Sequence, residues 1–155
     1  MQKPIDLRQR LNQAFPALAA SPEALQLRIK KGSVVTTPAP SLTFEYQYNL
    51  LINIVNFSDD IDVLCVTLLS WLQTNQPDLF TRDSAKRRGI RFKTRPNTDG
   101  TTHLTVSLRL TERQRVREEN QTLHVTYLPE PPPPEPVTRP TALYINGEWV
   151  STWAS

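Results

Sequence analysis

The chain has 155 residues, a formal charge of +3 and only 38% apolar residues, which fits one compact domain with a polar tail rather than several domains. Half of its 14 prolines fall between Pro129 and Pro140 and account for part of the low apolar share. The single cysteine excludes an intramolecular disulfide, the opening MQKPIDLRQRLNQAF lacks an apolar core of signal-peptide length, and no transmembrane run follows. These features predict a chain made and kept in a reducing cytoplasm, away from membranes. Its mild basicity does not by itself specify nucleic acid.

The first element predicted is a helix over Pro4 to Leu18, with Ile5, Leu7 or Arg8, Leu11, Phe15 and Leu18 as its apolar stripe. Pro4 is tolerated in the first turn, and Pro16 ends or kinks the helix near Ala14. Ser21-Pro22-Glu23 opens a short unit in which Leu25, Leu27 and Ile29 alternate with Gln26, Arg28 and Lys30, the pattern of a strand with one wet face. Gly32 predicts a bulge or turn before Ser33 to Thr37, and Pro38 and Pro40 close that stretch. Leu42 to Phe57 is the clearest strand signal. Leu42, Phe44, Tyr46, Tyr48, Leu50, Ile52 and Ile54 take every even position, with Thr43, Glu45, Gln47, Asn49 and Asn53 between them.

Ser58 to Pro77 predicts the central helix, on which the rest of the chain packs. Asp59 reads as its N-cap, Asp60 and Asp62 as first-turn carboxylates favoured by the helix dipole, and Pro77 as its stop. Ile61, Leu64, Cys65, Leu68, Leu69 and Trp71 or Leu72 form one broad apolar face; Val63 and Val66 lie off it. A helix apolar over so much of its circumference is covered on more than one side, here by its own sheet and by another subunit. Cys65 on that face reads as a small buried side chain rather than a catalytic thiol.

Thr81 to Arg95 carries Arg82, Lys86, Arg87, Arg88, Arg91, Lys93 and Arg95. Ile90, Phe92 and Thr94 alternate with Arg91, Lys93 and Arg95, so a basic row lines one side of a strand, and Pro96 to Gly100 is turn chemistry. Leu104, Val106, Leu108 and Leu110 then alternate with polar residues, and Arg109, Arg113, Arg115 and Arg117 fall in one phase. Leu123, Val125 and Tyr127 run back. Thr102 to Leu128 thus predicts a long hairpin whose charged tip, ERQRVREENQ, projects past the body. A solvated or salt-bridged sheet face, an acidic protein surface and nucleic acid all fit the basic rows, nucleic acid least well. Only Phe92, on the opposite strand face, accompanies them, which weakens a single-strand-binding reading.

Pro129 to Pro140 predicts a polyproline spacer of roughly 3 Å per residue. Beyond it, Leu143 to Ile145, the Asn146-Gly147 turn and Glu148 to Val150 predict a hairpin carrying Tyr144 and Trp149, with Trp153 behind. A lone two-stranded hairpin is marginal in water, so it docks on its own body or on a neighbouring copy. The organisation is therefore a body over 1–128, a linker over 129–140 and a terminal hairpin over 141–155. The fold class is α+β: an antiparallel or mixed sheet with helices packed on one face, a long projecting hairpin and a proline-linked C-terminal hairpin.

No constellation supports catalysis, a cofactor or a metal. His103 and His124 fall on the two arms of the predicted hairpin, where they could face each other as surface histidines without further ligands. There is no glycine-rich phosphate loop and no G-x-S-x-G. Asp59, Asp60 and Asp62 lack the glycine and glutamate that would complete a calcium loop.

The run EPPPPEPVTRP at 130–140 followed by LYINGEWVSTW at 143–153 resembles the end of the tail completion protein R family of peduovirus-type temperate phages with contractile tails. KPIDLRQRL, SLTFEYQYNL, WLQTNQPDLF, SLRLTERQRVRE and TLHV look similar too, so the resemblance covers nearly the whole chain. It implies a virion structural protein, not an enzyme, that finishes the tail at its head-proximal end and makes it competent to join a capsid. The partners implied are other copies of itself, the tail tube and sheath proteins and the head–tail connector, met in the host cytoplasm during assembly. A homohexameric ring follows by analogy with tail terminator proteins. On this reading Arg109, Arg113, Arg115, Arg117, Tyr144, Trp149 and Trp153 are interface residues. A basic nucleic-acid-binding module is the competing class.

Overall fold

The computed structural model describes residues 1–36, 41–80, 89–131, 142–145 and 148–152, the last two stretches by their backbone. Helices α1 (Lys3–Ala14), α2 (Pro16–Ala20) and α3 (Ile61–Asn75) pack on one face of a five-stranded antiparallel sheet. Its strands are β1 (Leu25–Thr36), β2 (Phe44–Phe57), β3 (Ile90–Pro96), β4 (Thr102–Glu119) and β5 (Thr122–Leu128). Strands β6 (Ala142–Ile145) and β7 (Glu148–Thr152) form a separate two-stranded sheet. The α+β class read from the sequence is what the chain adopts.

The helix break falls where proline forces it: α1 ends at Ala14, Phe15 is non-helical, and Pro16 opens α2. Leu7, Leu11, Phe15 and Leu18 are buried, but Ile5 is exposed, and Lys3, one turn before Leu7, is buried in its place. In β1 the expected break at Gly32 does not occur. The register slips between Ile29 and Lys31 instead, and Gly32 stays paired with Tyr48, where an added Cβ would lie 3.4 Å from that of Tyr48.

Asp60, not Asp59, caps α3: its backbone is extended and its Oδ1 accepts the N–H of Asp62 at 2.8 Å. Leu64, Leu68, Trp71 and Leu72 are buried by α3, Ile61 and Cys65 are half-buried, and Leu69 turns outward with Val63 and Val66. The core beneath is one register-matched set, with Tyr48 opposite Leu110, Leu50 opposite Leu108, Ile52 opposite Val106 and Ile54 opposite Leu104. Phe15 meets Phe57 edge-on at 5.4 Å, and Trp71 Nε1 donates to Asp6 Oδ2 at 2.6 Å, tying α3 to α1.

Strand β4 is the spine. One edge pairs with β2 from Thr102 to Gln114. The other pairs with β3 up to Leu108 and with β5 from Arg113 onward. Between those two partners Thr111 donates its N–H to Gln76 Oε1 at 2.9 Å, so a buried side chain fills a gap in the ladder. Among the described residues only β5 pairs with β4 past Gln114, apart from the bond Val116 N donates to Thr43 Oγ1 at 3.2 Å, and the pair closes at Asn120-Gln121, both with positive φ as a type I′ turn requires. The β3–β4 turn is held by Asp99, whose carboxylate accepts Thr101 Oγ1 at 2.6 Å and Thr101 N at 2.9 Å; these bonds hold its pKa below the usual range. His103 pairs with Arg95 and His124 with Arg117, at opposite ends of β4, so the two histidines do not face each other. Arg82, Lys86, Arg87 and Arg88, the spacer from 132 to 140, the Asn146-Gly147 turn and Trp153 lie outside the described residues.

Candidate interaction surfaces

Registered partners share a face of a sheet, so the pairings decide where each basic side chain goes. Arg91, Lys93 and Arg95 pair with Ser107, Thr105 and His103. These β4 residues alternate with the buried ones, so the β3 row points away from the helices. Arg109 and Arg113 share that side of β4, opposite Asn49 and Glu45 of β2. Arg115 and Arg117 continue the phase along the arm, opposite Thr126 and His124. The two rows read separately from the sequence therefore meet on one open face. Strand β1 adds Arg28 opposite Leu51 and Lys31 opposite Asn49. The alternation of Leu25, Leu27 and Ile29 signalled a wet face for β1; only the pairing shows that this face is continuous with the β3 row.

The open face carries few countercharges among the described residues. Glu45 meets Arg113 at 3.6 Å, a pair with its arginine 64% exposed and so of little weight for stability. Gln47 Nε2 donates to Glu45 Oε1 at 3.0 Å and Thr105 Oγ1 to Asn53 Oδ1 at 3.0 Å, so the polar groups between the arginines are tied to one another. Arg109, Arg115, Arg117, Arg91, Lys93 and Arg95 are exposed. Contacts made by such exposed charges are individually weak and screened by salt.

A buried polar node lies behind the sheet, and sequence reasoning missed it. Glu112, in phase with Leu104 to Leu110, accepts Gln2 N at 2.8 Å and Lys3 N at 3.3 Å, capping α1 from another element because Gln2 supplies no side-chain cap. Tyr48 donates its hydroxyl to the same carboxylate. Burial and the adjacent Glu112 push the Tyr48 phenol well above its ordinary pKa. Lys3 Nζ donates to Gln76 Oε1 at 2.9 Å and to Glu130 Oε1 at 2.9 Å. Glu130 lies at the start of the proline-rich segment, so this ion pair fixes where that segment leaves the body. The signal available beforehand was charge at apolar-phase positions, Lys3 one turn from Leu7 and Glu112 two from Leu110.

A cleft of about 610 Å³ opens beside the node, lined in part by Arg109, Arg113, Asp78 and Glu130. Of the terminal residues that the sequence suggested for an interface, Tyr144 and Trp149 are paired in register in the β6–β7 sheet, and Trp153 lies outside the described residues. Among the described residues no group of three or more His, Cys, Asp or Glu could hold a metal ion, and no helix is long and apolar enough to cross a membrane.

Residues 1–131 match the family described as P2 phage tail completion protein R (GpR). The tail completion protein R of Escherichia phage P2 is 45% identical over 153 residues, which span 99% of each chain. No solved structure matches. Kinship at this level over the entire body places the chain in the P2 phage tail completion protein R family.

Proposed function

We propose that this chain is a non-catalytic virion protein that closes the head-proximal end of a phage tail and makes it competent to receive a head. It acts as a ring of identical subunits, six by analogy with tail terminator rings. It meets the tail tube and sheath on one side and the head–tail connector on the other, and the ring is put together in the host cytoplasm. The single observation that carries this reading is the kinship with a tail completion protein along essentially the whole chain.

The geometry supports it. Cyclic closure needs a heterologous interface, in which each subunit offers one patch and receives a different one. The β4–β5 arm, with Arg113, Arg115 and Arg117 on one side, and Arg109 at its root are surfaces of that kind. So is the hairpin bearing Tyr144 and Trp149, with Trp153 following, whose strands pair with each other rather than with the five-stranded sheet. In our reading it docks on a neighbouring subunit or a tail partner. The nucleic-acid alternative lacks comparable support: no relative points to it, and the aromatic Phe92 lies on the face opposite the β3 basic row.

Complementation tests the reading. A phage lacking its own tail completion gene, supplied with this chain, should complete its tails. The Arg113→Glu, Arg115→Glu double variant should fold with an unchanged melting temperature, since exposed charges each contribute at most about 1 kcal/mol. It should fail to complete tails. Normal tails from that variant would reduce the row to solvated surface.

A further inference from the structure

Among the described residues, two apolar surfaces stay uncovered, on different elements of the molecule. The first is the helix-side face of the arm, where Val116 pairs with Val125 and Glu118 with Leu123. Leu123 and Val125 are 55% and 61% exposed because the helix layer ends before reaching them. The second lies across α3 and β3. A groove of about 210 Å³ runs between Cys65, Leu68 and Leu69 of α3 and Phe92 of β3, and Val66 and Phe92 stand out at 65% and 62% exposure.

Charge separates the two in the same sense. From Gly32 to Thr81 the chain contains no lysine or arginine, and Asp60 and Asp62 flank Ile61, the α3 residue at the N-terminal end of the groove, with Asp59 just before them; Arg91, Lys93 and Arg95 of the β3 wall lie on the opposite face of the sheet. The arm carries Arg113, Arg115 and Arg117. One surface is thus apolar with an acidic edge at the start of α3, and the other is a two-stranded ribbon with Val116, Leu123 and Val125 beside Glu118 on one side and a basic row on the other. Long arginine side chains can reach past the edge of such a ribbon to the border of the groove.

We propose that the arm of one copy docks on the α3–β3 groove of the next. Leu123 and Val125 cover Val66, Leu69 and Phe92, while Arg115 and Arg117 meet Asp59 and Asp62. Because the two patches sit on different elements, every copy offers an arm and receives one. That is the heterologous contact a closed ring requires, and the inference rests on the ring reading above.

Disulfide capture tests it in the full-length chain. In a Cys65→Ser background, Val66→Cys and Val125→Cys are made singly and together, and oxidised tails are resolved without reductant. The pair should give a ladder of covalent multimers, and neither single variant should cross-link. A dimer from Val125→Cys alone would mean that the arm meets its own mate, and completed tails without any cross-link would mean that it meets another protein; either overturns the proposal.

If the cysteine variants do not complete tails, charge exchange decides. Arg115→Glu with Arg117→Glu should abolish completion, and adding Asp59→Lys with Asp62→Lys should restore it. Absence of that rescue overturns the docking. A parent chain that never completes tails would instead sink the functional reading. Cross-linking of the purified chain at high concentration would then judge the docking independently.

Discussion

Glu112 does several tasks with one carboxylate. It caps α1, accepts the Tyr48 hydroxyl and lies in the same node as the Lys3–Glu130 pair. Removing the Tyr48 hydroxyl with Tyr48→Phe should cost about 1–3 kcal/mol at neutral pH, because a buried acceptor loses a donor. The pH dependence follows from the raised phenol. A folded pKa above the unfolded value of about 10 means that this contribution is complete below that pH and is lost as pH rises beyond it. Wild-type stability should therefore fall more steeply than that of Tyr48→Phe between roughly pH 10 and 11. Denaturant melts of both proteins across that range check this; parallel curves would contradict it. Tyr127, also raised by burial and then by Glu112, is common to both and leaves a shared slope.

Among the elements, α3 shows how far periodicity carries. Spacing alone put Ile61, Leu64, Cys65, Leu68, Leu69 and Trp71 or Leu72 on the packed face; Leu64, Leu68 and both Trp71 and Leu72 are buried, and Ile61 and Cys65 half-buried. It put Leu69 on that face too, and there the structure differs, since a broad apolar arc does not say which margin meets the sheet and which meets solvent. Leu68→Ala should cost about 2–5 kcal/mol through lost burial and the cavity left, whereas Val66→Ala should change monomer stability by less than about 0.5 kcal/mol. Thermal unfolding of the two variants distinguishes the packed side from the outer one. Strand periods were equally legible in β2 and β4, but the slip in β1 was not, because a bulge depends on the pairing with Asn49 and Leu50. The node around Lys3 escaped for a related reason: its members, Lys3, Tyr48, Gln76, Glu112 and Glu130, are spread along the chain and meet only when the sheet has formed.

For the whole molecule, the Lys3–Glu130 pair decides where the chain can be cut. A chain ending at Pro131 keeps that pair and should melt like the full-length monomer while failing to complete tails. A chain ending at Leu128 should lose about a further 1–3 kcal/mol, as Lys3 Nζ gives up a charged partner. Differential scanning calorimetry of the three lengths separates these effects. A clear drop for the chain ending at Pro131 would show that the terminal hairpin covers its own body instead of a neighbour.

Strand β4 is continuous over 18 residues, from the core beside Leu104 to the arm tip at Glu119. At the usual rise it is a single covalent rod of about 60 Å. A pull along the arm is carried without a joint into the ladder with β2, where the hydrogen bonds lie crosswise to the force and yield together in shear. A pull on the β1 edge would open its bonds one after another. The protein is therefore stiffest along the direction in which its arm extends, a property that suits the place proposed for it at the end of a tail.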